Sequence, residues 1–173
     1  VIGKIARLFE LKGHDDLLAV APELVRANPR IKFLFVGDGE WRSKFERKID
    51  ELGIRSHVVL AGLVPPADVP RYVGVMNALA HLSRREGLPR ALPQAMAASK
   101  PVVAFDCDGA GEVCVDGETG ILLRSGDLAG QRGDLGHSFN DDPRLFDHAP
   151  GRPPRGLHGR GLDRGVWVFD LRH

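Results

Sequence analysis

The chain has 173 residues, 43% of them hydrophobic and 27% charged, with 24 Lys and Arg against 23 Asp and Glu for a formal charge of +1. A chain of this composition and length is expected to fold as a water-soluble domain, burying roughly two-thirds of its unfolded surface without a disulfide or metal to hold the core. The charge balance excludes the basic excess that nucleic acid demands. No apolar run approaches the roughly 20 residues of a membrane span, and no secretory signal opens the chain, so a cytoplasmic location is expected.

Val1 to Ala6 reads as a short strand, and His14 to Asn28 follows with Leu17, Leu18, Ala21, Leu24 and Val25 at helical spacing. Ile31 to Val36 is a compact apolar run closed by Gly37-Asp38-Gly39, after which Trp41, Phe45, Ile49 and Leu52 share one face of a charged helix. The order repeats. A strand over His57 to Ala61 precedes a helix over Ala67 to Val73. Another over Ala78 to Leu82 precedes a helix over Pro89 to Ala98. Pro101 to Phe105, a helical turn near Glu112 and a strand over Gly120 to Leu123 close the series. Strands that are apolar throughout, alternating with helices, predict a mainly parallel sheet covered on both faces, a doubly wound α/β domain. Two prolines fall inside the predicted helices. Pro22 removes a hydrogen bond from the first and bends it, while Pro93, four residues after Pro89, predicts a kink or a late helix start.

Beyond residue 126 the periodicity ends. Residues 131–173 hold seven Gly, seven Arg, six Asp and four Pro, and no Lys, although the chain has six lysines before residue 101. Such a segment buries too little apolar surface to offset the entropy of ordering it. Residues 1–126 are therefore expected to form the domain. Residues 127–173 are expected to be a Gly/Arg/Pro-rich tail, disordered or not native to it.

In an open parallel sheet, ligands bind beyond the carboxyl ends of the strands. After the first strand, Arg7 and Lys12-Gly13 place two cations where the next helix begins, a pairing suited to phosphate but equally found as solvated surface charge. Gly37-Asp38-Gly39 begins like a dinucleotide motif, yet Arg42 replaces its third glycine, so a tight turn with Asp38 or Gly39 capping the helix is expected. The loop after the fourth strand is denser. Glu86 and Gly87 stand where backbone N–H groups face ligand oxygens, and Gln94 lies eight positions on, facing the same side. A sugar nucleotide would use both residues. Asp106, Asp108 and Glu112 read as caps of a short helix and His14 as a solvated neighbour of a cap. Cys107 and Cys114 read as packing residues, and no metal site is evident.

Gly3, Arg7, Lys12-Gly13, Val36-Gly37-Asp38-Gly39, Gly62-Leu63-Val64, Glu86-Gly87-Leu88-Pro89, Ala95-Met96-Ala97, Pro101-Val102-Val103 and Asp116 to Gly120 follow one another in an order that is specific. In this the chain resembles the C-terminal, donor-binding half of retaining GT-B glycosyltransferases of family 4, the glycosyl transferases group 1. The resemblance implies a Rossmann-like half of a GT-B fold. It implies a nucleoside-diphosphate sugar of UDP or GDP type as substrate, with no cofactor and no metal. Arg7, Lys12 and Glu86 take catalytic roles, the cations on the diphosphate and the acid on the transferred sugar, helped by Gly87, Leu88 and Pro89. Gln94 stands where such proteins more usually carry a glutamate for the ribose, and the backbone near Val64 faces the base. Replacing that acid weakens the ribose contact by about 1 kcal/mol. The reaction implied is transfer of a hexose-type sugar with retention. An N-terminal domain carrying the acceptor pocket, and any peripheral membrane contact, is expected as the missing partner, so that this chain alone does not turn over. A non-catalytic module binding a phosphorylated ligand or partner is the rival expectation.

Overall fold

The computed structural model describes residues 1–124 and, further on, the backbone of two short strands. Six strands form one sheet: β1 (Ile2–Ile5), β2 (Phe33–Val36), β3 (Val58–Gly62), β4 (Ala78–His81), β5 (Val102–Asp106) and β6 (Ile121–Arg124). Their spatial order is β3-β2-β1-β4-β5-β6, every neighbouring pair parallel. Between them run α1 (His14–Ala27), α2 (Arg42–Glu51), α3 (Val69–Val75), α4 (Ala91–Ala97) and α5 (Ala110–Val113). The doubly wound α/β fold expected from the apolar strands is present.

The period-2 geometry of a strand divides the interior into two cores. Phe33, Phe35, Ala78, Ala80, Val103 and Phe105 point to one face, where Leu17, Leu18, Leu24, Phe45 and Ile49 of α1 and α2 cover them. The residues between them, Leu34, Val36, Leu79, Val102 and Ala104, point to the other, under Leu92, Ala95 and Met96 of α4, with Met76 after α3 and Ala110 of α5. β2 and β4 are buried along their whole length, which is why they read as unbroken apolar runs.

The helix starts correct two expectations. Trp41, not Asp38 or Gly39, is the N-cap of α2, and no side chain caps it. Asp38 instead accepts from the Gly39 N–H at 2.8 Å and pairs with Arg42 at 3.2 Å, holding the turn rather than the helix. Likewise α4 starts at Ala91 rather than Pro89. Pro93 then falls in the first turn, where no intrahelical partner awaits its missing N–H, so of the two outcomes expected the late start is realised. Pro22 sits inside α1, as the sequence predicts.

Two further short strands, β7 (Arg160–Leu162) and β8 (Val166–Val168), pair antiparallel. The sequence periodicity places no element there, and the run Val166-Trp167-Val168 supplies the β-branched and aromatic residues that favour one. The boundary at residue 126 and the rest of the tail lie outside the described residues. Among the described residues no helix is long and apolar enough to cross a membrane.

Helix α4 ends with Ser99 in the left-handed region at φ 54°, its N–H on the Met96 carbonyl at 2.8 Å and the Lys100 N–H on that of Ala95 at 2.9 Å. This paired-bond ending favours glycine at the left-handed position. Ser99→Gly is expected to stabilise the fold by about 1 kcal/mol, read as a higher urea midpoint with an unchanged slope.

Candidate active site

The chain runs from β1 outward through β2 to β3 and, on the other side, from β4 through β5 to β6, so the order reverses between the adjacent strands β1 and β4. Loops leaving the carboxyl ends of two such strands turn in opposite directions and leave a crevice between them. Here it is an open cleft of ≈ 440 Å³. Arg7 and Lys12 line it from the loop after β1, and Glu86, Leu88 and Gln94 from the loop after β4 and from α4. Val64 closes it from beyond β3.

Lys12 reaches the cleft because of Gly13. Lys12 ends a 3-10 turn, and Gly13 follows at φ 68° with its Cα pressed on the Leu82 carbonyl, where a Cβ would collide. The β1 loop is thereby laid against the end of β4. Lys12 Nζ donates to Glu86 Oε2 at 2.5 Å and to the Arg85 carbonyl at 3.3 Å. Ser83 Oγ lies 3.0 Å from the same carboxylate oxygen, as a donor to it. The two charged side chains are 15% and 27% exposed, so the pair stands at the border between protein and water. Burial pushes the Glu86 carboxyl up, but the bonds from Lys12 and Ser83 and the Lys12 charge outweigh it, leaving Glu86 below the usual carboxylate range. Arg7 is exposed, its guanidinium carbon 5.8 Å from the centre of the Phe9 ring, and it joins none of the ion pairs formed among the described residues.

Thus Arg7, Lys12, Glu86, Leu88, Gln94 and Val64 face one hollow. Gly87 and Pro89 are not on its wall: Pro89 is buried, and the Gly87 carbonyl faces Gly109. A second correction concerns the Glu86 backbone. Its N–H does not point at the cleft but donates to Asp108 Oδ2 at 2.6 Å. Asp108 is therefore not a cap of α5, whose N-cap is Gly109 with no side-chain bond. Gln94 lies eight positions after Glu86, yet Glu86 precedes α4, so its loop rather than helical spacing brings the two to one cleft.

His14 is fully buried, not solvated. The left-handed turn at Gly13 aims it inward, between the Phe35 and Phe45 rings at 5.3 Å and 5.0 Å, with neither ring nitrogen hydrogen-bonded. Burial, then the Lys4 charge, pushes its pKa down to about 2, so it stays neutral. Other residues of the site escape a reading of motifs. His81 lines the cleft at the end of β4, its pKa lowered to about 4 first by burial and then by Lys4. Arg90 lines the cleft from the start of α4. Lys4, on the α1 face of β1, is 1% exposed. The one available signal was a lysine in the middle of a strand that is otherwise apolar. Cys114 is buried as expected, whereas the Cys107 thiol donates to the Ser83 carbonyl at 2.8 Å. Among the described residues no three His, Cys, Asp or Glu side chains form a metal-binding group.

The family model described as "Glycosyl transferases group 1" matches residues 1–131. The chain belongs to this family. A relative from Mycolicibacterium smegmatis, named a GDP-mannose-dependent alpha-(1-6)-phosphatidylinositol monomannoside mannosyltransferase, is 31% identical over 135 residues, covering 74% of this chain and 35% of its own length. The alpha-D-kanosaminyltransferase of Streptomyces kanamyceticus is 28% identical over 144 residues, covering 82% of this chain and 36% of its own. The chain thus spans about a third of the length of these family members. Anabaena HepE, solved with UDP-glucose, superposes at a TM-score of 0.71 and 26% identity over 83% of this chain and 40% of its own. The TarM protein of S. aureus shares the fold at TM-scores of 0.70 and 0.72 in two structures, both at 23% identity over 83% of this chain and 29% of its own.

The family member's buried Lys4 gives stability a distinctive pH dependence. Burial lowers its pKa to about 7, against the attraction of Asp16 and Glu86 and with the repulsion of Lys12. Below that pH the folded chain holds a buried charge. Between about pH 7 and the ordinary lysine pKa near 10.4 the unfolded chain binds the extra proton, so stability rises with pH. Urea unfolding is expected to show a rise on the order of 4 kcal/mol across that window, absent from Lys4→Met, which is more stable at pH 7.

Proposed function

We propose that the cleft binds the nucleoside-diphosphate end of an activated sugar, and that the chain is the donor half of an enzyme that transfers a hexose-type sugar with retention, as in glycosyltransferase family 4. The observation that carries the reading is the convergence of Arg7, Lys12 and Glu86 on one cleft at the point where strand order reverses. No cofactor or metal enters this reading, because the two cations supply the charge that the diphosphate needs.

The Lys12–Glu86 pair is the state that a donor replaces. A diphosphate competes for the Lys12 ammonium and draws in Arg7, whose planar fork suits phosphate oxygens. As the bond from the anomeric carbon to the diphosphate oxygen lengthens, negative charge grows on the departing group. Cations fixed beforehand stabilise that charge more than they stabilise the bound ground state. Glu86, held ionised, accepts a hydrogen bond from a sugar hydroxyl. The Gln94 amide carbonyl accepts one from the ribose, and the backbone near Val64 meets the base. UDP-glucose in HepE and GDP-mannose in the name of the mycobacterial relative support a donor of UDP or GDP type. The acceptor pocket belongs to a further domain, a reading supported by relatives of which this chain covers only 35% and 36%. Such an enzyme draws on cytoplasmic nucleotide sugars and serves polysaccharide or glycolipid synthesis.

Calorimetric titration with UDP, GDP, ADP and orthophosphate tests the site. One nucleoside diphosphate is expected to bind more tightly than orthophosphate, and Arg7→Ala with Lys12→Ala to weaken it by about a hundredfold, two charge-assisted contacts being lost. An equal response to all four ligands would identify a general phosphate module instead. Incubation of the chain with donor and acceptor is expected to release nucleoside diphosphate no faster than the doubly substituted variant, and robust transfer by the chain alone would overturn the need for a second domain.

A further inference from the structure

The segment that carries Glu86 is held from outside the cleft by the loop between β5 and α5. At one end the Cys107 thiol donates to the Ser83 carbonyl at 2.8 Å, and at the other the Glu86 N–H donates to Asp108 Oδ2 at 2.6 Å. Between and beyond these bonds the loop packs closely. A Cβ on Gly109 would lie 3.1 Å from the Gly87 carbonyl oxygen and 3.7 Å from Pro89 Cδ. Asp108 makes its bond from the left-handed region, at φ 47°. Among residues with a side chain, aspartate and asparagine are those that adopt this region most readily, and even for them it costs energy. A strained residue whose carboxylate is committed to one amide beside the cleft is a feature that calls for a function.

The consequence is directional. With its N–H turned outward to Asp108, Glu86 sends its side chain the other way, to Lys12 and Ser83. Arg84 has separate anchors, its N–H on the Leu11 carbonyl at 2.9 Å and its guanidinium on Asp16 at 2.6 Å. The Arg85–Glu86 peptide is held on both sides, its carbonyl by Lys12 Nζ and Ser83 Oγ, each at 3.3 Å on the cleft side, and its N–H by Asp108 from behind. A carboxylate that must meet one sugar hydroxyl has to be held to roughly half an ångström, which requires support behind it. We propose that Asp108 is a positioning residue: by accepting the Glu86 N–H it fixes the direction in which Glu86 presents its carboxylate to the sugar of a bound donor. The structural half of the proposal rests on this geometry alone, and its functional half on the donor reading of the cleft.

Two variants separate the bond from the backbone strain. Asp108→Gly removes the carboxylate and relaxes the left-handed residue, while Asp108→Asn keeps an acceptor and tolerates that conformation. The first measurement needs no ligand: titration of the Glu86 side-chain carboxyl by carbon NMR. The charged and titratable groups around it are Lys12, His81 and Lys4, with Cys107 and Asp108 behind. Deleting a negative neighbour would by itself lower the Glu86 pKa, whereas losing alignment with Lys12 and Ser83 raises it. The expected result is a rise toward the ordinary glutamate value in Asp108→Gly and none in Asp108→Asn. A fall, or no change, in Asp108→Gly overturns the proposal. The second measurement compares UDP-glucose with UDP, and GDP-mannose with GDP, by calorimetry. The extra affinity of the sugar-bearing ligand is expected to drop about tenfold in Asp108→Gly, as for a lost charge-assisted bond, with the diphosphate unaffected and Asp108→Asn restoring it. Equal losses for sugar-bearing and sugar-free ligands overturn it, since a merely structural role weakens both. If the unsubstituted chain binds none of the four, the donor reading fails, and the titration alone decides whether Asp108 positions Glu86.

Discussion

The ion pair between Lys12 and Glu86 joins two loops that lie 74 residues apart in sequence and leave adjacent strands in opposite directions. The Arg84 N–H on the Leu11 carbonyl also joins these loops, but the ion pair is what brings their charged side chains together. With it, a cation and an acid stand at one place, partly shielded from water, where each is worth more electrostatically than on an open surface. The pair also forces the rest of the local design. Lys12 reaches Glu86 only because Gly13 turns left-handed against the Leu82 carbonyl, and Ser83 is buried because its hydroxyl must serve the same carboxylate. Half-buried charges left without partners are costly, so the loops are committed to this arrangement until another anion takes the lysine.

Beneath the pair, the two faces of the sheet differ. The α4 face is an apolar core. The α1 face carries Lys4 and His14, whereas His81, next to Ala80 on β4, points to the α4 side, where it lines the cleft; all three are buried and pushed toward their neutral forms first by burial. The histidines are neutral in the folded chain at ordinary pH, whereas Lys4 titrates near pH 7. It feels the charges of Lys12 and Glu86, so an anion bound at those residues favours its protonated form. This reserve lies on β1, the strand whose loop also supplies Arg7 and Lys12.

Legibility in the sequence followed from how local each feature is. The strands and helices were readable because burial on two faces writes an unbroken apolar run and burial on one writes a 3.6-residue period. Arg7, Lys12 and Glu86 were readable as the charged residues that follow β1 and β4, the strands that flank the reversal. Residue type alone makes Asp38 and Asp108 look like helix caps, yet Asp38 braces a turn with its near neighbours Gly39 and Arg42, and Asp108 holds a loop 22 residues away. His14 looked like a surface residue at a helix start, and nothing local reveals that Gly13 rotates it into an aromatic pocket.

From its sequence alone the chain determines its class: six apolar strands alternating with helices admit a doubly wound sheet, and a parallel sheet offers ligands the carboxyl ends of its strands. Tertiary structure decides the rest. Which loops become neighbours depends on strand order, and strand order is fixed by packing between residues distant in the chain. That packing turned two surface cations and a loop glutamate into one charged cleft, buried Pro89, and turned the amide of Glu86 away to Asp108. Spacing along the chain carries no record of such directions, because a side chain points where its long-range neighbours leave room.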